Sequence, residues 1–328
     1  MRSGLTRVAF ALLTLLAASL TLNEPARAAD YPTRPVKMVV PYPAGGPNDV
    51  IARILAQKLS ETLGGQFYVE NQAGAGGTIG AGAVANAPAD GHTMVVHNQD
   101  IIVQPIIKAK VPYDPFKSFA PVTLVVGAPE MIVVNPTLPV QNMKELLALL
   151  KANPGKYSYA SPGYGTTPHL ACEWLFKLTY GLDAVHVPFQ GAAPAVQSVL
   201  AGHTPIFHNV LPAVAPHLRQ GTMRALAVAS SKRSPFFPDV PTLEEAGTPG
   251  HEVGFWMGVL LPAGTPKPIV DQLQGQIGKI LALPDVKERL ATIGFDPLES
   301  TPDGFSAHMK SETDKWSKVV REANIKID

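Results

Sequence analysis

One cysteine, Cys172, stands in a chain of 328 residues. No internal disulfide can brace such a chain, so packing must carry its stability. Charge is also scarce. Only 16% of the residues are Asp, Glu, Lys or Arg, and they nearly balance at a formal +1. That leaves no basic footprint for nucleic acid or for an anionic lipid surface. The nine histidines form no HExxH or other close pair, so no metal site is expected, and no other cofactor signature replaces it. Low-complexity stretches are missing, and so are long apolar runs beyond the first residues.

Those first residues set the compartment. Arg2 and Arg7 precede an uncharged run over 8–22, and Ala26-Arg27-Ala28-Ala29 offers small residues where a signal peptidase cuts. The run falls short of the roughly 20 residues that span a bilayer. Residues 1–28 therefore read as a secretory signal peptide. Without them Lys+Arg falls from 27 to 24 and Asp+Glu from 26 to 25, leaving a mature net charge of −1.

What is present is alternation. β-branched runs at 36–40, 67–69, 93–96, 131–134, 157–160, 184–187 and 224–229 are separated by helical spacings, clearest at 142–151, 168–178, 191–200 and 266–281. A final amphipathic stretch covers 302–323. Strands alternating with helices predict an α/β fold with parallel-rich sheets covered by helices. Proline, at 32 residues, is about twice its usual ~5% share and sits at the joints. Two strand-like stretches, 123–134 and 252–261, suit crossings between two lobes. The expected division is 29–127 with 254–328 as a discontinuous first lobe and 128–253 as the second. Two α/β lobes joined by two strands make a hinged, Venus-flytrap clamp around a cleft.

Two strand-to-helix turns fall in different lobes. The first is Pro41-Tyr42-Pro43-Ala44-Gly45-Gly46-Pro47-Asn48-Asp49, the second Ser161-Pro162-Gly163-Tyr164-Gly165-Thr166-Thr167-Pro168-His169. Ligands of open α/β sheets sit outside the carboxyl ends of the strands. Helix starts there present unpaired N–H groups and a partial positive charge. Neither turn holds Arg or Lys. The pair suits a carboxylate gripped by backbone N–H groups and by Asn48, Ser161, Thr166 and Thr167. Equally, Asp49 and Thr167 could simply cap their helices. His97, Asn98 and Asp100 follow another strand, and either line the cleft or cap the next helix.

Other patterns are weaker. The glycine-rich stretch 74–82 lacks the Lys-Ser/Thr of a P-loop and reads as a tight, packed turn. Cys172, in an apolar helical context, reads as a buried thiol. Ser161 and His169 invite a hydrolase reading, but Ser161 lacks the Gly-x-Ser-x-Gly elbow. The chain is not expected to be an enzyme.

Several motifs then fall together in order: Pro41-Tyr42-Pro43-Ala44-Gly45-Gly46 with Asp49, Val69-Glu70-Asn71 running into Gly74-Ala75-Gly76-Gly77, Ala89-Asp90-Gly91-His92-Thr93, His186-Val187-Pro188-Phe189-Gln190-Gly191, and Phe237-Pro238-Asp239-Val240-Pro241-Thr242. From about Tyr31 onward the chain resembles the Bug family, the substrate-binding components of tripartite tricarboxylate transporters. The resemblance implies a periplasmic, monomeric clamp that takes a small carboxylate and works with two membrane subunits. It carries over Tyr42, Pro43, Gly45, Gly46 and Asn48 from the first turn, and Ser161, Gly163, Thr166, Thr167 and His169 from the second. Phe189, Gln190 and Gly191 join from a neighbouring loop. The sequence departs where the family tends to place acid after Ala201-Gly202; Pro205 and His208, followed by Asn209, stand there instead. His208 and Asn209 are therefore candidates for ligand contact. Tyr42, Tyr164, Phe189 and Phe207 could flank a ring, so di- and tricarboxylates, acidic amino acids and aromatic acids all remain open. A sensor docking to a signalling protein would use the same clamp.

Overall fold

The computed structural model describes residues 31–322; the signal segment read at 1–28 lies outside them. Ten strands and ten α-helices alternate along the described chain. β1 (Val36–Val40) is apolar except for Lys37, and its four apolar residues are buried. A turn carries it into α1 (Pro47–Leu63), which Pro47 opens at a position where its missing N–H costs nothing, and which Gly64 ends in the left-handed conformation. β2 (Phe67–Asn71), α2 (Thr78–Ala85), β3 (Thr93–Asn98) and α3 (Asp100–Ile107) follow.

The long strand β4 (Phe119–Val134) organises the rest. Gly127-Ala128-Pro129 lies inside it. Pro121 falls at an irregularity, since the ladder with β9 (Gly254–Pro262) shifts register beside it and again before Val126. From Phe119 to Pro129, β4 pairs with β9, which pairs with β3, which leads to β1 and β2. β10 (Asp296–Pro297) joins at Val126 and Gly127. From Glu130 onward the partners change to β7 (Ile206–Val210) and β8 (Arg224–Val228). β7 continues to β5 (Ser158–Ser161) and β6 (Val185–Pro188). One strand is thus common to two sheets.

The expected parallel pairing holds at the outer strands, β1 with β2 and β3, and β5 with β6 and β7. The centre is antiparallel, because β4 and β9 run between the halves rather than through a strand–helix–strand crossover. The helix expected over 168–178 is split into α5 (Thr167–Cys172) and a π-helical stretch, Glu173–Thr179. α4 (Met143–Ala152), α6 (Ala192–Leu200), α7 (Leu211–Arg219), α8 (Lys267–Ala282), α9 (Pro284–Ile293) and α10 (Pro302–Glu322) complete the layers. The stripe of α10, Phe305, Met309, Trp316, Val319 and Val320, is buried as its spacing predicts.

Candidate functional site

Five strands, β1 and β3 from one parallel set and β5, β6 and β7 from the other, deliver their carboxyl ends to one cavity with an empty volume of about 570 Å³. Tyr42 to Ala44 and Gly46 to Asn48 come from the β1–α1 turn, and Asn98, Gln99 and Asp100 from β3–α3. Pro162, Thr166 and Pro168 come from β5–α5, Gly191 to Ala193 from β6–α6, and Asn209 with Val210 from β7–α7. Glu130 on β4 and Phe255 on β9 close the back. Among the described residues that line it, none is Arg or Lys.

The first turn is held from below. Asp49 accepts from Gly45 N–H at 3.0 Å and from Asn71 Nδ2 at 3.0 Å, and pairs with Arg53 at 2.9 Å. Burial alone would raise the Asp49 carboxyl, but Arg53, Gly45 and Asn71 together hold it below the usual range. With Gly45 N–H committed, the turn presents Gly46, the uncapped N-cap of α1, and the Asn48 side chain, whose Nδ2 is buried without a partner. Gly191 starts α6 in the same way, with no side-chain cap.

The second turn is wired differently. Gly163 N–H donates to Ser161 Oγ, Gly165 N–H to His169 Nδ1, and Thr166 N–H to Gly163 O. Thr167 donates through both N–H and Oγ1 to Asp100 Oδ1, each at 3.0 Å. The Tyr42 hydroxyl lies 2.8 Å from Asp100 Oδ2. Asp100 therefore ties the first turn to the second, and the N–H groups expected to grip a ligand there already donate within the protein. Burial pushes the Asp100 carboxyl above the usual carboxylate range.

The structure brings Tyr42, Pro43, Gly46, Asn48, Asn98, Thr166, Gly191 and Asn209 together on the cavity wall. Gly45, Ser161, Gly163, Thr167 and His169 stand behind it as supports. Ser161 is fully buried and pairs with His186 Nε2 at 2.6 Å, not with His169. Burial holds His186 down to about 3 and His169 to about 4, and their rings stack at 3.9 Å. His97 is buried edge-on to Tyr42 and touches the space beside Gly77, where an added Cβ would meet its ring at 2.9 Å. That contact, with Gln104 against Gly76, makes the glycine-rich stretch the packed turn its sequence suggests. Gln190 is exposed and Phe189 half-buried, its N–H donating to Ser161 O. Of the four rings considered as flanks, Tyr42 alone lines the cavity; Phe207 is core and Tyr164 packs edge-on to His169 and His186.

Gln99, Glu130 and Phe255 were not legible as site residues. Gln99 lay between two that were, and it bridges Glu130 Oε1 at 3.3 Å to the Trp256 backbone N–H at 3.1 Å. Glu130 left a signal, a single acid in an apolar run. It is fully buried, and His208 Nδ1 stands 3.4 Å from its Oε2. Burial, with Asp100 nearby, pushes the Glu130 carboxyl well above its usual range. A folded pKa above the unfolded value contributes stability fully below about 4.5 and loses it as pH rises through the folded pKa. Glu130→Gln escapes that loss. Its Tm relative to wild type is expected to climb from pH 4 to pH 8, and parallel calorimetric melts showing a flat difference would contradict it.

The model of the tripartite tricarboxylate transporter family receptor matches residues 51–325. Protein BugT of Bordetella pertussis is 37% identical over 326 residues, 99% of each chain. Among solved structures, the periplasmic binding protein BugD is 37% identical with a TM-score of 0.86, over 90% of this chain and 99% of that one. Rpa4515 of R. palustris, solved with adipate, is 34% identical with a TM-score of 0.87, again over 90% and 99%. The fold of strands and covering helices is that of their two-lobed clamps. With a family model matched over residues 51–325 and a relative matched over 99% of both chains, the chain belongs to the tripartite tricarboxylate transporter receptor family.

Proposed function

We propose that this protein is a periplasmic receptor that captures a small carboxylate between two lobes and delivers it to two membrane subunits of a transporter. One observation carries the reading. Two helix starts without side-chain caps, α1 at Gly46 and α6 at Gly191, meet at a mainly apolar cavity, joined there by the unpartnered amides of Asn48 and Asn209. Helix starts attract anions, and neutral amide donors in a low-dielectric wall hold a carboxylate without a counter-ion. The adipate bound to Rpa4515 supports that class. Residues 29–127 with 254–328 form the first lobe and 128–253 the second, with the ligand between them. The buried Ser161–His186 pair sits off the cavity wall and serves the turn, so the reading is binding, with the ligand released unchanged.

A thermal-shift screen of carboxylates tests capture, because a ligand that binds only the folded state raises Tm. At least one is expected to do so and to reduce the radius of gyration in solution scattering. A panel of di-, tri-, amino- and aromatic carboxylates that leaves Tm unmoved would sink the reading. Export has its own check: the mature protein should begin near Ala29 or Asp30 by intact mass of the periplasmic fraction, and an uncleaved cytoplasmic product would contradict it.

A further inference from the structure

Three buried polar atoms of the cavity-lining residues have no hydrogen-bond partner: Asn48 Nδ2, Asn209 Nδ2 and Glu130 Oε2. The Asn209 amide keeps its nitrogen free because its Oδ1 accepts from the Val210 N–H at 2.7 Å. Glu130 is fixed in the same sense. Gln99 Nε2 donates to Oε1 at 3.3 Å and leaves Oε2 uncommitted. In a fully buried acid, a carboxylate with one long hydrogen bond and no adjacent cation is the costly form. The groups packed around Glu130 do not relieve it. His208 on β7 stands 3.4 Å away, but burial keeps its imidazole down to about 4 and so uncharged at neutral pH. Cys172 on α5 is pushed up by its own burial and stays a thiol. Asp100 on α3 is another acid, its oxygens already serving Tyr42 and Thr167. Lys315 on α10 attracts Glu130 only from beyond ion-pair range and is itself paired with Glu312 at 2.9 Å. Burial accordingly pushes the Glu130 carboxyl well above its usual range.

A neutral acid makes the third atom a donor like the other two, an O–H that lacks an acceptor. Building on the carboxylate-capture reading, we propose that Glu130 holds the cargo as a neutral acid, its Oε2–H donating to a ligand carboxylate beside the Asn48 and Asn209 amides, so that capture is coupled to a proton. An O–H···O⁻ bond of this kind is among the short, strong ones. The proton comes from solvent, stays on Glu130 while cargo is bound, and returns to solvent if Glu130 ionises after release. A ligand carboxylate beside Glu130 holds that proton to higher pH than the empty cleft does. Affinity is therefore full while the empty site is protonated, and falls by about tenfold per pH unit once it is not.

Titration calorimetry from pH 7 to pH 9 tests this with adipate, tricarballylate, aspartate and benzoate, whose carboxyl groups stay ionised throughout while His208 stays neutral. Whichever of them binds wild type at pH 7 is expected to weaken about tenfold or more by pH 9. Repeating the titration in buffers of different ionisation heat should show uptake of up to about one proton per ligand. In Glu130→Gln the Gln99 amide still has an oxygen to meet, and an N–H donor stands where the acid stood at every pH. That variant should match wild type within about threefold at pH 7, hold its affinity, and bind more tightly than wild type at pH 9. Wild-type binding that does not change with pH overturns the proton coupling and leaves carboxylate capture standing. A slope shared by Glu130→Gln overturns Glu130 as its source. Loss of binding at pH 7 by a folded Glu130→Gln overturns the donor role, since the amide supplies the same hydrogen. Failure of all four ligands at every pH overturns capture itself and this inference with it.

Discussion

Replacing Asp100 with alanine is expected to lower Tm by several degrees. The carboxyl group accepts both donors of Thr167 at 3.0 Å and faces the Tyr42 hydroxyl at 2.8 Å, all in a buried setting. Tyr42 retains Asn98 Oδ1 at 3.0 Å, whereas the Thr167 N–H and hydroxyl lose their acceptor. Stranding buried donors costs about 1–3 kcal/mol each, so a total of about 2–6 kcal/mol is expected. In a chain of this size that corresponds to several degrees. Asp100→Asn separates shape from charge. Burial already drives this carboxyl toward its neutral form, and an amide keeps one acceptor for Thr167 while offering its NH₂ to the Tyr42 oxygen. Asn should therefore melt near wild type. An alanine variant that melts with wild type would show that Asp100 does not join the turns, and an asparagine variant as damaged as alanine would show that the charge is required.

Gly46→Val is expected to weaken carboxylate binding by roughly tenfold to a hundredfold while leaving the fold intact. Gly46 has φ −81° and ψ 171°, an extended conformation open to any residue. An added Cβ would meet nothing nearer than Pro43 O at 3.6 Å. The valine methyls would then fill space on the cavity wall that the ligand needs. Gly191→Val makes the contrast. It has φ +116° and its Cβ would lie 3.1 Å from Pro43 Cδ, so backbone strain and a wedge across the cleft arrive together. Calorimetry and thermal melts on both variants separate ligand exclusion from damage. Undiminished affinity in Gly46→Val would move the ligand away from the start of α1.

Much of this was legible before the fold. Short apolar runs placed the outer strands, which are buried on both faces, and helical periodicity placed the amphipathic α10, which buries one. The two Pro/Gly turns stood out for the same reason they matter, as abrupt ends of apolar runs followed by helical spacing. Periodicity could not show which turn N–H groups remain free. The partner of Thr167 is 67 residues away at Asp100, and His186 displaces His169 beside Ser161 through β5–β6 pairing that no local pattern encodes. Glu130 was hidden likewise. Its neighbours along β4 are apolar, so its chemistry appears only when β3, β7 and β9 close around it.

The partner change along β4 has a mechanical consequence. Pro129 is the last residue to face β9, at Gly254, and Glu130 is the first to face β7, at Val210. Any relative rotation of the halves thus passes through that peptide unit and the return crossing beside it, Val253–Gly254, and the carboxyl group there sits at the short end of two long arms. A displacement of a fraction of an ångström there becomes a swing of several ångströms at the rim. Cargo seated against Glu130 would act as a key at the axle, where little travel is needed and torque is felt by both leaves.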